Sequence, residues 1–194
     1  NLSVLFAIDR AGVVGPDGPT HGGFFDLSYL RCLPNMIVMT PADANECRQM
    51  LSTGFDYAGP AAVRYPKDLD SISQMGKDFT TLAIGKGEIR REGAGIAFLV
   101  FGTLLQTVLE CGQRLNATVA NMRFVKPLDR ELIIKLALHH ELLVTVEDNV
   151  VAGGAGSAVN ETLASEGLPC RILSLGLPDS FIPHGGREEL LALL

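Results

Sequence analysis

The ionisable side chains best placed for chemistry sit in one glycine-rich stretch. Arg10, Asp17 and His21 fall within Asp9–Gly23, among five glycines and two prolines. An arginine fork pairs two oxygens of a phosphate or carboxylate. A histidine exchanges a proton near neutral pH. An aspartate orients such a histidine or accepts from a substrate hydroxyl, although aspartates in Gly/Pro loops also serve simply as turn formers. Arg64, at the end of the apolar run Ala61–Tyr65, is a second candidate cation, with a solvated strand end as its alternative reading.

The elements around these residues read as alternating strands and helices. Val4–Ile8 reads as a buried strand, and the glycine-rich loop follows at its carboxyl end, where open α/β sheets bind ligands. Helical spacing covers 25–33. Met36–Met39 is strand-like, and a helix follows to about Tyr57, capped by Thr40 or Asp43. After Pro66 the polar stretch 67–82 reads as a linker. Strands are expected at 85–91 (an edge), 96–101, 117–121, 142–146 and 171–175, with helices at 103–115, 127–140, 153–165 and from 187. The fold class expected is α/β, as two three-layer units with mainly parallel sheets.

Composition narrows the function classes. The 194 residues carry a formal charge of −6, and aromatics make up 6 % with no Trp, which argues against a nucleic-acid surface. The mean hydropathy is +0.24, yet no apolar run reaches the roughly 20 residues of a membrane span. Cys32, Cys47, Cys111 and Cys170 form no C-x-x-C pair and read as structural thiols of a reducing compartment, consistent with a cytoplasmic location. The chain opens on Asn1 and stops within a helical pattern, so both ends are expected to be cuts in a longer protein. His139–His140 suit a helix C-terminus, and Gly153–Ser157 a structural helix start rather than an anion site.

Gly15-Pro16-Asp17-Gly18-Pro19-Thr20-His21 resembles the G-x-D-G-x-T-H loop of transketolase-type thiamine diphosphate enzymes. The fuller pattern resembles the 1-deoxy-D-xylulose-5-phosphate synthase family. It comprises Asp9–Gly12, Thr20–Arg31, Met39–Glu46 and Ala62–Pro66, then Met122–Asp129, Val146–Asn149, Gly153–Ser157 and Gly176–Asp179. The resemblance runs in order along essentially the whole chain. It implies the second half of a pyrimidine-binding domain at 1–66, a linker at 67–82 and a transketolase C-terminal domain at 83–194, truncated at its end. It further implies condensation of pyruvate with D-glyceraldehyde 3-phosphate, releasing CO2 and feeding isoprenoid, thiamine and pyridoxal synthesis.

By the same resemblance, Arg10 and Arg64 grip the substrate phosphate, and His21 and Asp17 are catalytic. The cofactors are thiamine diphosphate and Mg2+. The family's activating glutamate and its G-D-G…N motif have no counterpart here, so the cofactors are expected to be bound mainly by the remaining N-terminal part of the same enzyme. The fragment alone is expected to be inactive. A homodimer is implied, with no nucleic-acid or membrane partner. A fragment of transketolase or of a 2-oxoacid dehydrogenase β subunit, and a noncatalytic assembly module, stand as alternatives.

Overall fold

The computed structural model describes residues 2–67 and 80–193. It contains two sheets. The first has strands β1 (Leu5–Ile8), β2 (Ile37–Met39) and β3 (Ala61–Arg64), all parallel, in the order β1-β3-β2. The second has β4 (Glu88–Arg91), β5 (Ile96–Phe101), β6 (Thr118–Asn121), β8 (Leu142–Val150) and β9 (Arg171–Leu177), in the order β4-β6-β5-β8-β9. Only the edge strand β4 is antiparallel there. Among these, β7 (Phe124–Lys126) crosses over. It pairs antiparallel with β2 and completes the first sheet from within the second half of the chain.

The helices are α1 (Asp26–Leu30), α2 (Ala44–Asp56), α3 (Leu105–Leu115), α4 (Arg130–His139), α5 (Ala155–Ser165) and α6 (Arg187–Leu193). Asp43 caps α2 by accepting from the Glu46 N–H at 2.8 Å, and Asp129 caps α4 by accepting from Leu132 N–H at 3.1 Å. One of the four orphan N–H groups at each start is thereby satisfied, which favours a helix beginning there.

One apolar core serves both sheets. Leu27, Leu30, Val38 and Ala62 from the first half pack with Leu99, Phe101, Met122, Ile133 and Leu143 from the second. Each large side chain so buried contributes about 1.5–3 kcal/mol, enough to hold the halves together as one body. A polar joint adds register. Glu46 of α2, 4 % exposed, accepts from Asn121 Nδ2 at 3.0 Å, Arg123 Nε at 2.6 Å and the Ala42 N–H at 2.7 Å.

Several expectations need adjusting. β1 is not a buried strand: it lies at the sheet edge with one neighbour, and Val4 and Phe6 are exposed. The Phe25–Leu33 helix shortens to Asp26–Leu30, while the 142–146 strand runs on to Val150. Cys32 and Cys111 are exposed, so only Cys47 behaves as a buried structural thiol; burial, with Asp43 adding, pushes it up to about 11. The greater part of the expected 67–82 linker, residues 68–79, lies outside the described residues.

Candidate active site

The glycine-rich loop leaves the carboxyl end of β1 and returns to α1. Its ends are stitched together: Gly12 N–H donates to the Gly23 carbonyl at 3.0 Å, and Gly23 N–H to the Arg10 carbonyl at 2.8 Å. A single 3-10 turn at Gly15–Asp17 presents Asp17. The loop rests on an apolar patch in which Val13 and Phe24 pack against Leu177, Ile182 and Leu190.

Arg10 adopts φ +63°, a left-handed conformation that costs a non-glycine residue about 1–2 kcal/mol. Its side chain is fixed as well. Nε donates to Asp17 Oδ2 at 3.0 Å and Nη1 to Asp9 Oδ2 at 2.6 Å, leaving the guanidinium about one-third exposed. The hydrogen bond to Asp17 and the charge of Asp9 raise its pKa further. Asp17 is held below the usual carboxylate range, first by Lys67, whose Nζ lies 2.9 and 3.0 Å from its two oxygens, then by Arg10. Lys67 is a functional neighbour that local sequence pattern does not reveal. It falls where a linker was expected, and nothing in its local pattern marks it as a partner of Asp17.

His21 lies on the exposed outer turn of the loop, with Nδ1 3.0 Å from Thr20 Oγ1. Among the described residues no hydrogen bond joins it to Arg10, Asp17 or Arg64.

Arg64 is placed differently from the open cation that the sequence suggested. Its side chain is 1 % exposed. Nε donates to Asp26 Oδ1 at 2.9 Å, Nη1 to the Asp148 carboxylate, and Nη2 to the carbonyls of Gly23 at 2.6 Å and Asp148 at 3.1 Å. Burial alone would lower its pKa, but Asp148 and Asp26 together raise it. The two arginines therefore do not form a solvent-facing pair here. Arg64 stands behind the loop, and a phosphate would reach it only by displacing a carboxylate.

The second sheet supplies further residues, at a strand end whose Glu147-Asp148 pair reads in the sequence either as an interface former or as a solvated loop. Asn149, fully buried, accepts from the Leu27 N–H at 3.1 Å and donates to Ser28 Oγ at 3.0 Å. Beside it, Glu147 accepts from the Ala155 and Gly156 N–H groups, both at 2.8 Å, and so fills the N-terminus of α5. An anion site at Gly153–Ser157 is thus already occupied by the protein's own carboxylate. Burial pushes Glu147 up to about 7, against the two backbone donors and Arg64. His139 and His140 direct their Nδ1 atoms at the Lys135 and Leu136 carbonyls, at 2.7 and 2.9 Å, and make no contact with the loop. Among the described residues no three His, Cys, Asp or Glu side chains converge as a metal site would require.

Comparison with known proteins adds to this geometry. Residues 85–194 match the transketolase C-terminal domain, and residues 1–70 match the transketolase pyrimidine binding domain. The chain belongs to the transketolase family. Among curated relatives it is 61 % identical over 191 residues to the 1-deoxy-D-xylulose-5-phosphate synthase of Nitrosococcus oceani, covering 98 % of this chain and 30 % of that protein. It is also 61 % identical over 192 residues to the synthase of the same name from Thioalkalivibrio sulfidiphilus, covering 99 % and 30 %. The chain therefore spans about 30 % of the length of these transketolase-family relatives. Among solved structures, a split gene transketolase described as an inactive beta4 tetramer superimposes with a TM-score of 0.85 at 30 % identity, covering 98 % of this chain and 61 % of that one. The transketolase of Campylobacter jejuni, at 19 % identity and a TM-score of 0.71 over 97 % of this chain and 29 % of its own, shares the fold.

Proposed function

We propose that this chain is part of a thiamine diphosphate-dependent synthase that joins pyruvate to D-glyceraldehyde 3-phosphate, giving 1-deoxy-D-xylulose 5-phosphate and CO2. The observation that carries the reading is the loop itself. A partly exposed, doubly held Arg10 at the carboxyl end of β1 sits in a chain 61 % identical to proteins of that name. Two pairs of boundaries follow the same reading, 1–66 and 83–194, with the second half lending β7 to the first.

In this reading Arg10 meets the substrate phosphate, and each charged hydrogen bond contributes about 1.5–3 kcal/mol. Arg64 holds the loop from behind and contacts phosphate directly only if Asp148 gives way. Asp17 aims Arg10 and accepts from an acceptor hydroxyl. His21 donates a proton to the aldehyde oxygen as the new carbon–carbon bond forms. Among the described residues no cluster of His, Cys, Asp or Glu side chains suits a metal ion. Thiamine diphosphate and Mg2+ are assigned to the part of the enzyme that this chain does not span. A cytoplasmic homodimer that feeds isoprenoid and thiamine synthesis belongs to the same proposal.

The test is turnover by the full-length protein supplied with thiamine diphosphate and Mg2+. Pyruvate consumption should accelerate at least about tenfold on adding D-glyceraldehyde 3-phosphate, equivalent to about 1.4 kcal/mol off the barrier. Equal turnover with a lipoyl acceptor in its place contradicts the assignment.

A further inference from the structure

Asp148 touches one end of the loop that carries Arg10 and reaches the other end through Arg64. At one end it packs directly on Gly12, where a Cβ would lie 3.0 Å from the Asp148 Cβ and Oδ2. Gly12 also adopts φ +67°, so both space and backbone require glycine there. At the other end Asp148 acts through Arg64. Its carboxylate and its carbonyl each accept from the guanidinium, which donates onward to the Gly23 carbonyl at 2.6 Å. Gly23 N–H then holds the Arg10 carbonyl at 2.8 Å. Asp26 closes the opposite side of the guanidinium and is itself 4 % exposed. The Asp148 side chain is 16 % exposed and marks the outer wall of this buried box.

We propose that Asp148 is a positioning residue for the substrate-phosphate contact. Reaching in from β8 of the second sheet, it fixes the left-handed backbone of Arg10 through Gly12 on one side and through Arg64 and Gly23 on the other. This rests on the reading of Arg10 given above. Asp148 itself touches no reacting atom. Asn149 supports the same assignment, because the next residue of β8 pins the first turn of α1, where the loop ends, at Leu27 and Ser28. Partners that orient the residues holding a metal alter its affinity by about 10–100-fold; the lower end of that range is expected here, because Asp148 reaches Arg10 through Arg64 and Gly23.

The experiment uses full-length protein with Asp148→Asn, which keeps the shape and one acceptor, and Asp148→Ala. Steady-state kinetics compare phosphorylated with unphosphorylated D-glyceraldehyde, with pyruvate as the second variable. In Asp148→Asn the KM for the phosphorylated aldehyde should rise about tenfold. The KM for pyruvate should stay within about twofold, so the preference for the phosphorylated aldehyde should fall by the same about tenfold factor. Asp148→Ala should show a larger loss of that preference. An unchanged preference in a folded variant overturns the proposal, whatever happens to kcat or Tm. Failure of the near-isosteric Asp148→Asn to fold also overturns it, by assigning Asp148 to core stability. The reading beneath it fails separately, and the proposal with it, if the unaltered enzyme shows no preference for the phosphorylated aldehyde.

Discussion

Arg64 at the end of β3 and Asp148 near the end of β8 form an ion pair that joins the two sheets across 84 positions of sequence. The arginine is almost wholly buried, and Asp26 sits on its other flank at 2.9 Å. Because the Gly23 carbonyl is bound by the same guanidinium, the joint between the sheets is also the footing of the glycine-rich loop.

Removing one partner of such a joint leaves charge buried without compensation. Arg64→Ala strands two carboxylates and should destabilise the fold by about 3–5 kcal/mol. Chemical denaturation should show the midpoint falling sharply. Arg64→Lys should recover part of the loss, since a point ammonium cannot reproduce the four donations of the fork.

Glu147 gives a pH signature. Its carboxyl group is pushed up to about 7 by burial, whereas the unfolded chain releases the proton near 4.5. The folded state therefore holds a proton that the unfolded state has lost over that interval. The stabilising contribution is full below about pH 4.5 and declines as pH rises towards 7, by at most about 3 kcal/mol. Denaturation midpoints measured from pH 5 to 8 should carry this downward slope, and Glu147→Gln should remove it. A slope that survives the substitution assigns the titration to another group.

The start of α5 leaves no room for a side chain beside Glu147. A Cβ at Gly154 would lie 2.3 Å from Glu147 Oε2 and 2.6 Å from the Val150 carbonyl. Gly154→Ala should cost about 1–3 kcal/mol through forced displacement of the carboxylate. A thermal melt compared with Gly95→Ala, where a Cβ meets nothing within 4 Å, separates crowding from backbone conformation, because only Gly95 has a positive φ of the two.

Lys67 and Asp17 make a surface pair whose value lies in geometry. Lys67→Ala frees one side of Asp17 and loosens its hold on Arg10 Nε. The KM for the phosphorylated aldehyde should rise about two- to fivefold at low salt, with less difference at high salt as screening weakens the pair in both forms. No change at low salt removes Lys67 from the site.

Much of this arrangement is legible in the residues. The strand–loop–helix order and a cap at Thr40 or Asp43 follow from local patterns, because apolar period and capping chemistry act over a few residues, whereas the helix expected from 127 begins only at Arg130, with Asp129 as its cap. The glycine-rich loop is equally visible as a departure from them. What local pattern does not reveal is long-range pairing. Phe124–Lys126 is three residues long, too short to show a period, and becomes a strand only because β2 offers an edge. Arg64 has the same sequence context whether it faces solvent or is enclosed. Asp26 and Asp148, far away in sequence, enclose it. For the same reason Lys67, Glu147 and Asn149 carried no sign of their partners.

The central claim is that Arg10 binds the substrate phosphate. The most direct measurement is the KM of full-length Arg10→Ala for D-glyceraldehyde 3-phosphate, beside its KM for pyruvate and for unphosphorylated D-glyceraldehyde. Loss of one or two charged hydrogen bonds predicts a rise of at least about tenfold for the phosphorylated aldehyde, with the other two constants within about twofold. Equal changes in all three constants, or none in the first, would contradict it.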